Sequence, residues 1–309
     1  MKPTPVVSII TPVYNGAKYI EETIRSVLNA GIECDYEYLV LNDGSTDLSL
    51  EIISEFKDQI KIYSHENIGE SETVNLGIKH AKGRYLLILS ADDPLLSSEL
   101  IHRALVKLEL SNDLVAVYPD WKIINADGHD LETVILPDYS EEIMIGSNRC
   151  LPGPGVLFRS DAAKKIGGRR KKWKFVGDYD FWLRLSRVGS IQRLPGVLAQ
   201  WRESSDSTSV SQRGQLMALE RIRVIENFVS ENKIDPNLQR NALANSYVLA
   251  ARLVFFDPSI TAKGYLLKAI KIKRFWPSEL KFHLVLYIML LPFSRYLNKI
   301  ILRFLLRFK

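Results

Sequence analysis

The residues best equipped for chemistry in this sequence are aspartates standing in short polar runs that follow apolar ones. Asp43 lies in Leu41-Asn42-Asp43-Gly44-Ser45-Thr46-Asp47, Asp92 and Asp93 end Ser90-Ala91-Asp92-Asp93, and Asp178 opens Asp178-Tyr179-Asp180-Phe181-Trp182-Leu183-Arg184-Leu185. Carboxylates can hold a hard cation through oxygen, accept an N–H from a ligand, or take a proton. Asp178 stands among Phe175, Tyr179 and Trp182, where partial desolvation would make it more basic. The 309 residues include only two cysteines, Cys34 and Cys150, and five His, without a Cys pair at metal-ligand spacing. This argues against a disulfide framework and a zinc site, so any metal must be held by carboxylates.

The elements that must position these aspartates follow from hydrophobic periodicity. Val6 to Thr11, Tyr36 to Leu41, Ile60 to Tyr63 and Tyr85 to Leu89 read as strands, and between them Ala17 to Leu28, a segment from Ser45 or Thr46 to Phe56, and Ser71 to Ala81 read as helices. Such alternation predicts an α/β fold with a mostly parallel sheet, in which ligands bind beyond the carboxyl ends of the strands. Thr11, Tyr14, Asp43, Asp92 and Asp93 all fall at such ends. From Leu114 the pattern turns to short strands, Ala116 to Tyr118 and Trp121 to Ile124, then a polar stretch through Arg149 and the breaker Pro152-Gly153-Pro154-Gly155. Asp178 to Leu185 reads as a helix start, and the chain beyond Ser211 reads as helical.

The ordered set of Val7 to Asn15, Leu41 to Asp47, Ser90 to Asp93 and Asp178 to Leu185 resembles glycosyltransferase family 2. Asn67-x-Gly69, Asn75-x-Gly77 and Ala81-Lys82-Gly83 match that family's run before its acidic motif. The resemblance covers about residues 6 to 210. It implies a GT-A fold, Rossmann-like with helices on both faces of the sheet, and an inverting transfer from a nucleotide-diphosphate sugar, a UDP-sugar favoured, to a glycan or polyprenyl-linked acceptor in cell-surface polysaccharide biosynthesis. By the same resemblance Thr11, Pro12, Tyr14, Asp43 and Asn67 bind the nucleotide. Asp92 and Asp93 hold Mg²⁺ or Mn²⁺, and Asp178 is the catalytic base. Trp182, Trp201 and Arg202 face the acceptor or the diphosphate.

Three positions depart from the family pattern: Ser90 opens the usual Asp-x-Asp, Gly177 precedes Asp178 where an acid is usual, and Ser204 stands where a His often follows the aromatic-Arg pair. Each motif also has a purely structural alternative. Asn42-Asp43-Gly44 has good turn chemistry, Asp92-Asp93 before Pro94 can cap a helix, and Asp178 can cap the helix of Trp182 with Asp180 the more exposed acid. Arg202 either reaches the diphosphate or is an ordinary surface Arg beside a buried Trp. Seven of the eleven residues from Lys164 to Lys174 are Lys or Arg, which reads either as a solvated turn or as a mobile loop recruiting an anionic substrate.

Net charge is +5, unevenly spread: Thr261 to Lys309 holds 11 Lys and Arg against the single acid Glu279, while the other 260 residues hold 30 basic and 35 acidic side chains. This argues against nucleic acid as a partner of the main body and for an anionic partner of the C-terminus. Arg295, Lys299, Arg303 and Arg307 recur every fourth residue among apolar neighbours, the pattern of a basic amphipathic helix for an anionic membrane surface. Packing on the catalytic domain or on a second subunit would explain its apolar face but not its charge. The expected organisation is a catalytic domain over 1–210 and a helical region over 211–309, cytoplasmic and peripheral on the inner face of the membrane. The N-terminus reads as a first strand and not as a signal peptide. A dinucleotide dehydrogenase or a P-loop enzyme is disfavoured by the lack of G-x-G-x-x-G after the first strand and of any P-loop pattern, which leaves a non-catalytic member of the fold as the alternative.

Overall fold

The computed structural model describes residues 4–203, 212–254 and 261–273. These divide into two compact units, Met1–Ser140 with Arg149–Thr208 and Glu141–Asn148 with Ser209–Lys309.

The first unit begins with strictly alternating elements: β1 (Val7–Val13), α1 (Ile20–Leu28), β2 (Tyr36–Asp43), α2 (Ser49–Ser54), β3 (Lys61–His65), α3 (Glu70–His80), β4 (Tyr85–Ile88) and α4 (Glu99–Leu110). All pairings among β1 to β4 are parallel, and the sheet order is β3-β2-β1-β4. Successive side chains of β1 leave by opposite faces. Val7, Ile9 and Val13 enter a core shared with Ile20 and Ile24 of α1, Ile53 of α2 and Ile101 and Ala104 of α4. Ile10 meets α3 on the other face, where a Cβ on Gly77 would lie 2.5 Å from its Cγ2. Helices thus cover both faces.

The remaining strands are β5 (Leu114–Ile124), β6 (Asp130–Val134), β7 (Leu157–Arg159) and β8 (Ser190–Arg202), with α5 (Ser160–Lys165) and α6 (Gly177–Leu185) between the last two strands. β7 joins antiparallel to β4 and β5, β6 joins antiparallel to β5, and β8 runs parallel along all of β5. The sheet is therefore parallel in its first half and mixed in its second. Ala116 to Tyr118 and Trp121 to Ile124 belong to one strand, not two. β8 contains Pro195-Gly196, which reads as a turn but is absorbed as a bulge: Leu194 pairs Pro119 and Val197 pairs Asp120. Gly196 has φ +122° and its N–H is held by Asp120 Oδ2 at 2.9 Å. α4, β6 and β8 are elements that periodicity alone leaves out.

The described part of the second unit is helical: α7 (Gln212–Glu231), α8 (Pro236–Leu253) and α9 (Thr261–Ile272), with a short π-helical turn at Glu142–Gly146. Its core is made largely of alanines, among them Ala218, Ala244, Ala250, Ala251 and Ala269, around Leu266. α8 starts at a well-made cap, Asp235 Oδ1 accepting from Asn237 N and Leu238 N, with Pro236 at the first helical position. Asn245 Nδ2 donates to Gly146 O at 2.7 Å, which ties the π-helical turn to α8. The expected boundary at Ser204 to Ser211 and the basic amphipathic segment at 295–308 lie outside the described residues. Among the described residues no helix is long and apolar enough to cross a membrane.

Candidate active site

The carboxyl ends of β1 and β2 are stitched together by polar side chains. Asn15, at φ 51°, accepts from Thr46 N at 2.8 Å, Ala17 N donates to Asp47 at 3.0 Å, and Gly16 N donates to Ser49 Oγ at 2.9 Å. Burial pushes the Asp47 carboxyl up, but hydrogen bonds from Ser49 and Ala17 outweigh it and hold the group below the usual carboxylate range. Asp43 is buried, and its two oxygens accept from Ile68 N at 2.7 Å and Gly69 N at 3.0 Å. Asn67 Nδ2 donates to Asp43 O at 3.1 Å. Gly44 is required where these loops meet: its φ is +65° and a Cβ would lie 2.5 Å from Asn67 N. Tyr14 is 55% exposed beside this cluster, and Pro12 is half-buried. Thr11 is fully buried, and its hydroxyl is engaged with the Tyr38 hydroxyl at 3.0 Å, so its side chain braces β1 against β2.

The acidic run after β4 is held by one buried cation. Arg202, 2% exposed at the end of β8, accepts nothing and donates everywhere: its backbone N–H to Asp93 Oδ1 at 2.7 Å, Nε to Asp92 O at 2.9 Å, one terminal nitrogen to Asn125 O and Ala126 O, and the other to Glu22 at 2.7 Å. Its guanidinium also lies 4.6 Å from the Tyr19 ring centroid. Arg202 is thus no surface residue but a buried strut, its backbone N–H on Asp93 and its side chain on the Asp92 carbonyl. The capping alternative for these acids fails as well, because α4 starts at Glu99 with Ser98 before it. Burial first, and then the adjacent Asp92, push the Asp93 carboxyl up to about 7, and burial raises Asp92 too.

A cavity of about 310 Å³ opens beyond these strand ends. Ser90, Asp93, Asp178, Trp182 and Trp201 line it together, joined by Glu70 and Ser71 of α3 and by Arg169 and Lys174. Residues as far apart in sequence as Glu70 and Trp201, on α3, α6, β8 and the loops between elements, therefore meet in one space. Asp178 is exposed in the first turn of α6, after Val176 and Gly177, and is not its cap. Phe175 and Trp182 line the cavity with it, and Phe181 and Trp182 pack edge to face with Phe158 at 5.5 and 5.3 Å. The acid that is buried is Asp180, which accepts from Arg184 Nε at 2.7 Å and so reverses the expected order of exposure. Trp201 packs edge-on against Trp121 at 6.1 Å.

Sequence reasoning passed over Asn75 as a positioning group. Its Oδ1 accepts from Arg169 N at 2.7 Å and its Nδ2 donates to Arg169 O at 2.8 Å, so a single amide from α3 clamps the basic loop before α6. Gly168, at φ +69°, admits that amide, since a Cβ there would lie 2.2 Å from Asn75 Oδ1. The Asn-x-Gly spacing was the available signal: Gly77 lets α3 approach the sheet while Asn75 holds the loop.

The model of "Glycosyl transferase family 2" matches residues 8–148. An uncharacterized glycosyltransferase of Rickettsia typhi is 36% identical over 220 residues, which are 69% of this chain and 69% of that one. The chain belongs to glycosyltransferase family 2. Among solved structures, S. aureus TarS 1–349 in complex with UDP-GlcNAc matches with a TM-score of 0.66 at 17% identity, over 86% of this chain and 81% of that one. The mannosyltransferase PcManGT of Pyrobaculum calidifontis, in complex with GDP-Man and Mn²⁺, matches with a TM-score of 0.57 at 15% identity, over 96% of this chain and 89% of that one. These likenesses establish the GT-A architecture of this glycosyltransferase.

A divalent cation fits the residues present in a particular way. Among the described residues no three His, Cys, Asp or Glu side chains converge on one point. Mg²⁺ commonly takes only one or two protein carboxylates and fills its remaining positions with phosphate oxygens and water. Asp92 and Asp93 offer two adjacent carboxyls whose burial disfavours their charge until a cation is near.

Proposed function

We propose that this glycosyltransferase moves a sugar, with inversion, from a nucleotide-diphosphate sugar, a UDP-sugar favoured, to a hydroxyl of a glycan or lipid-linked acceptor in cell-surface polysaccharide synthesis. The observation that carries the reading is the single cavity lined by Ser90, Asp93, Asp178, Trp182 and Trp201. The UDP-GlcNAc bound by S. aureus TarS and the GDP-Man with Mn²⁺ bound by PcManGT support the donor class.

In this mechanism Tyr14 offers a flat apolar face to the base, and Asp43, with lone pairs left beyond Ile68 N and Gly69 N, accepts its edge N–H. Asn67 fixes the loop against which the nucleotide rests. Asp92 and Asp93 would hold Mg²⁺ or Mn²⁺, which when bound neutralises charge on the departing diphosphate. Asp178, exposed at the cavity wall, takes the proton of the acceptor hydroxyl as its oxygen attacks the anomeric carbon. The bond from that carbon to the diphosphate breaks, and the electron pair leaves with the nucleotide. Trp182 and Trp201 give the acceptor sugar apolar faces to stack on. Ser90, in the place of a carboxylate, removes one negative charge from the cavity and leaves the cation to the two acids that follow.

The basic segment at 295–308 extends the proposal to location: its charge and apolar positions suit the anionic inner face of a membrane, where a lipid-linked acceptor is presented.

Asp178→Asn tests the reading. The variant keeps the shape of the side chain and removes the base, so nucleotide release driven by transfer should fall about 10²- to 10⁴-fold while nucleotide affinity stays within about twofold. Transfer at wild-type rate by Asp178→Asn would remove Asp178 from the role of base.

A further inference from the structure

The basic loop between α5 and α6 is anchored far more firmly than a solvated turn requires. Five of the six residues from Arg169 to Lys174 are Lys or Arg. Asn75 clamps both backbone polar groups of Arg169, and Arg184, itself paired with Asp180, donates to Ile166 O and Gly168 O, each at 2.7 Å. The loop is therefore built to hold its cations in place, and two of them, Arg169 and Lys174, line the cavity beside Asp178. Arg169 is 11% exposed, with one terminal nitrogen on Glu70 at 2.6 Å and a buried Nε without a hydrogen-bond partner. Lys171 and Lys172 continue the positive charge outward on the exposed side.

The side of the cavity nearest a general base is the side that receives the nucleophile, and so the acceptor. A neutral sugar gains little from a fixed guanidinium and an ammonium there, whereas a phosphate or carboxylate gains charge-assisted hydrogen bonds. We propose that the acceptor is an anionic glycan, carrying a phosphate or a carboxylate close to its accepting hydroxyl, and that Arg169 and Lys174 bind that group. The inference rests on the assignment of Asp178 as base. It names the chemical class of the acceptor, which the motifs do not.

The test is calorimetric titration of the full chain, with and without UDP and Mn²⁺, by three oligomers of equal length: a glycerol phosphate oligomer, a glucuronate-containing oligosaccharide and a neutral chito-oligosaccharide. The same titrations are run on Lys174→Glu and Arg169→Ala, whose melting temperatures report on folding. At least one anionic oligomer should bind about tenfold more tightly than the neutral one, and both variants should lose that preference while UDP affinity stays within about twofold. The tighter of the two anionic oligomers identifies phosphate or carboxylate as the group read. Equal affinity for charged and neutral oligomers, absence of binding by any anionic oligomer, or an unchanged preference in the variants would overturn the proposal. Loss of UDP binding in the variants with oligomer binding intact would also overturn it, by assigning the loop to the donor diphosphate. If the wild type binds no UDP, the donor reading fails by itself, and the titrations without nucleotide still decide the anionic preference.

Discussion

Asp178 and Arg202 both carry charge, yet burial assigns them opposite work. Asp178 is exposed at the cavity wall and free to meet a substrate, whereas Arg202 is 2% exposed, and its backbone N–H, Nε and both terminal nitrogens donate to Asp92, Asp93, Asn125, Ala126 and Glu22. Arg202→Ala would keep the backbone bond to Asp93 but strand the carbonyls of Asp92, Asn125 and Ala126 and unpair Glu22, a loss of about 3 kcal/mol or more. Thermal unfolding should therefore show a markedly lower Tm for Arg202→Ala, with nucleotide affinity falling because the acidic loop moves. A variant that melted like wild type and merely bound nucleotide more weakly would mean that Arg202 contacts the diphosphate after all. The acids were legible in the sequence because they stand at strand ends in ordered motifs. The engagement of Thr11 with Tyr38 and of Arg202 with the acidic loop was not, because a hydroxyl or guanidinium reads the same in sequence whether its partner is a ligand or the chain itself.

At the scale of elements, β1 to β4 and the helices between them were readable because each has one clean period. β8 was not, since Pro195-Gly196 signals a turn locally and only the long-range pairing with β5 absorbs it as a bulge. Asp120 makes that bulge possible. It is 1% exposed, meets Arg193 with both oxygens at 2.9 and 2.7 Å, and accepts from Leu136 N and Gly196 N. Burial pushes its carboxyl up, but the Arg193 hydrogen bonds and the two backbone N–H groups prevail and hold it below its ordinary value of 3.8. A group depressed in the folded state stabilises fully above its ordinary value and loses that contribution as pH falls through the folded one. Asp120→Asn should thus cost about 3 kcal/mol near neutral pH, measured by denaturant unfolding, and the gap from wild type should narrow as the pH drops below 3.8. A gap that did not change with pH would show that shape, and not charge, matters at this bulge.

For the whole molecule, charge separates what composition averages. The segment from Thr261 carries ten net positive charges and the rest five net negative, so the sum of +5 conceals two differently charged parts. Removing residues 274–309 should abolish sedimentation with vesicles of anionic lipid at physiological salt while leaving UDP affinity unchanged; equal vesicle binding by the shortened chain would take the membrane role away from this segment. The catalytic architecture was legible because its motifs repeat a simple rule, a strand followed by a polar turn. The acceptor side was not, because it depends on how α3, the loop before α6 and β8 converge from separated parts of the chain, as Asn75 and Arg169 illustrate.

Whether these strand ends form a metal-assisted nucleotide-sugar site is decided by calorimetric titration of the full chain with UDP, with and without Mn²⁺. Saturable binding of UDP that Mn²⁺ strengthens by about tenfold or more, through the carboxylates of Asp92 and Asp93, is the expected result. Absence of UDP binding under both conditions would contradict it.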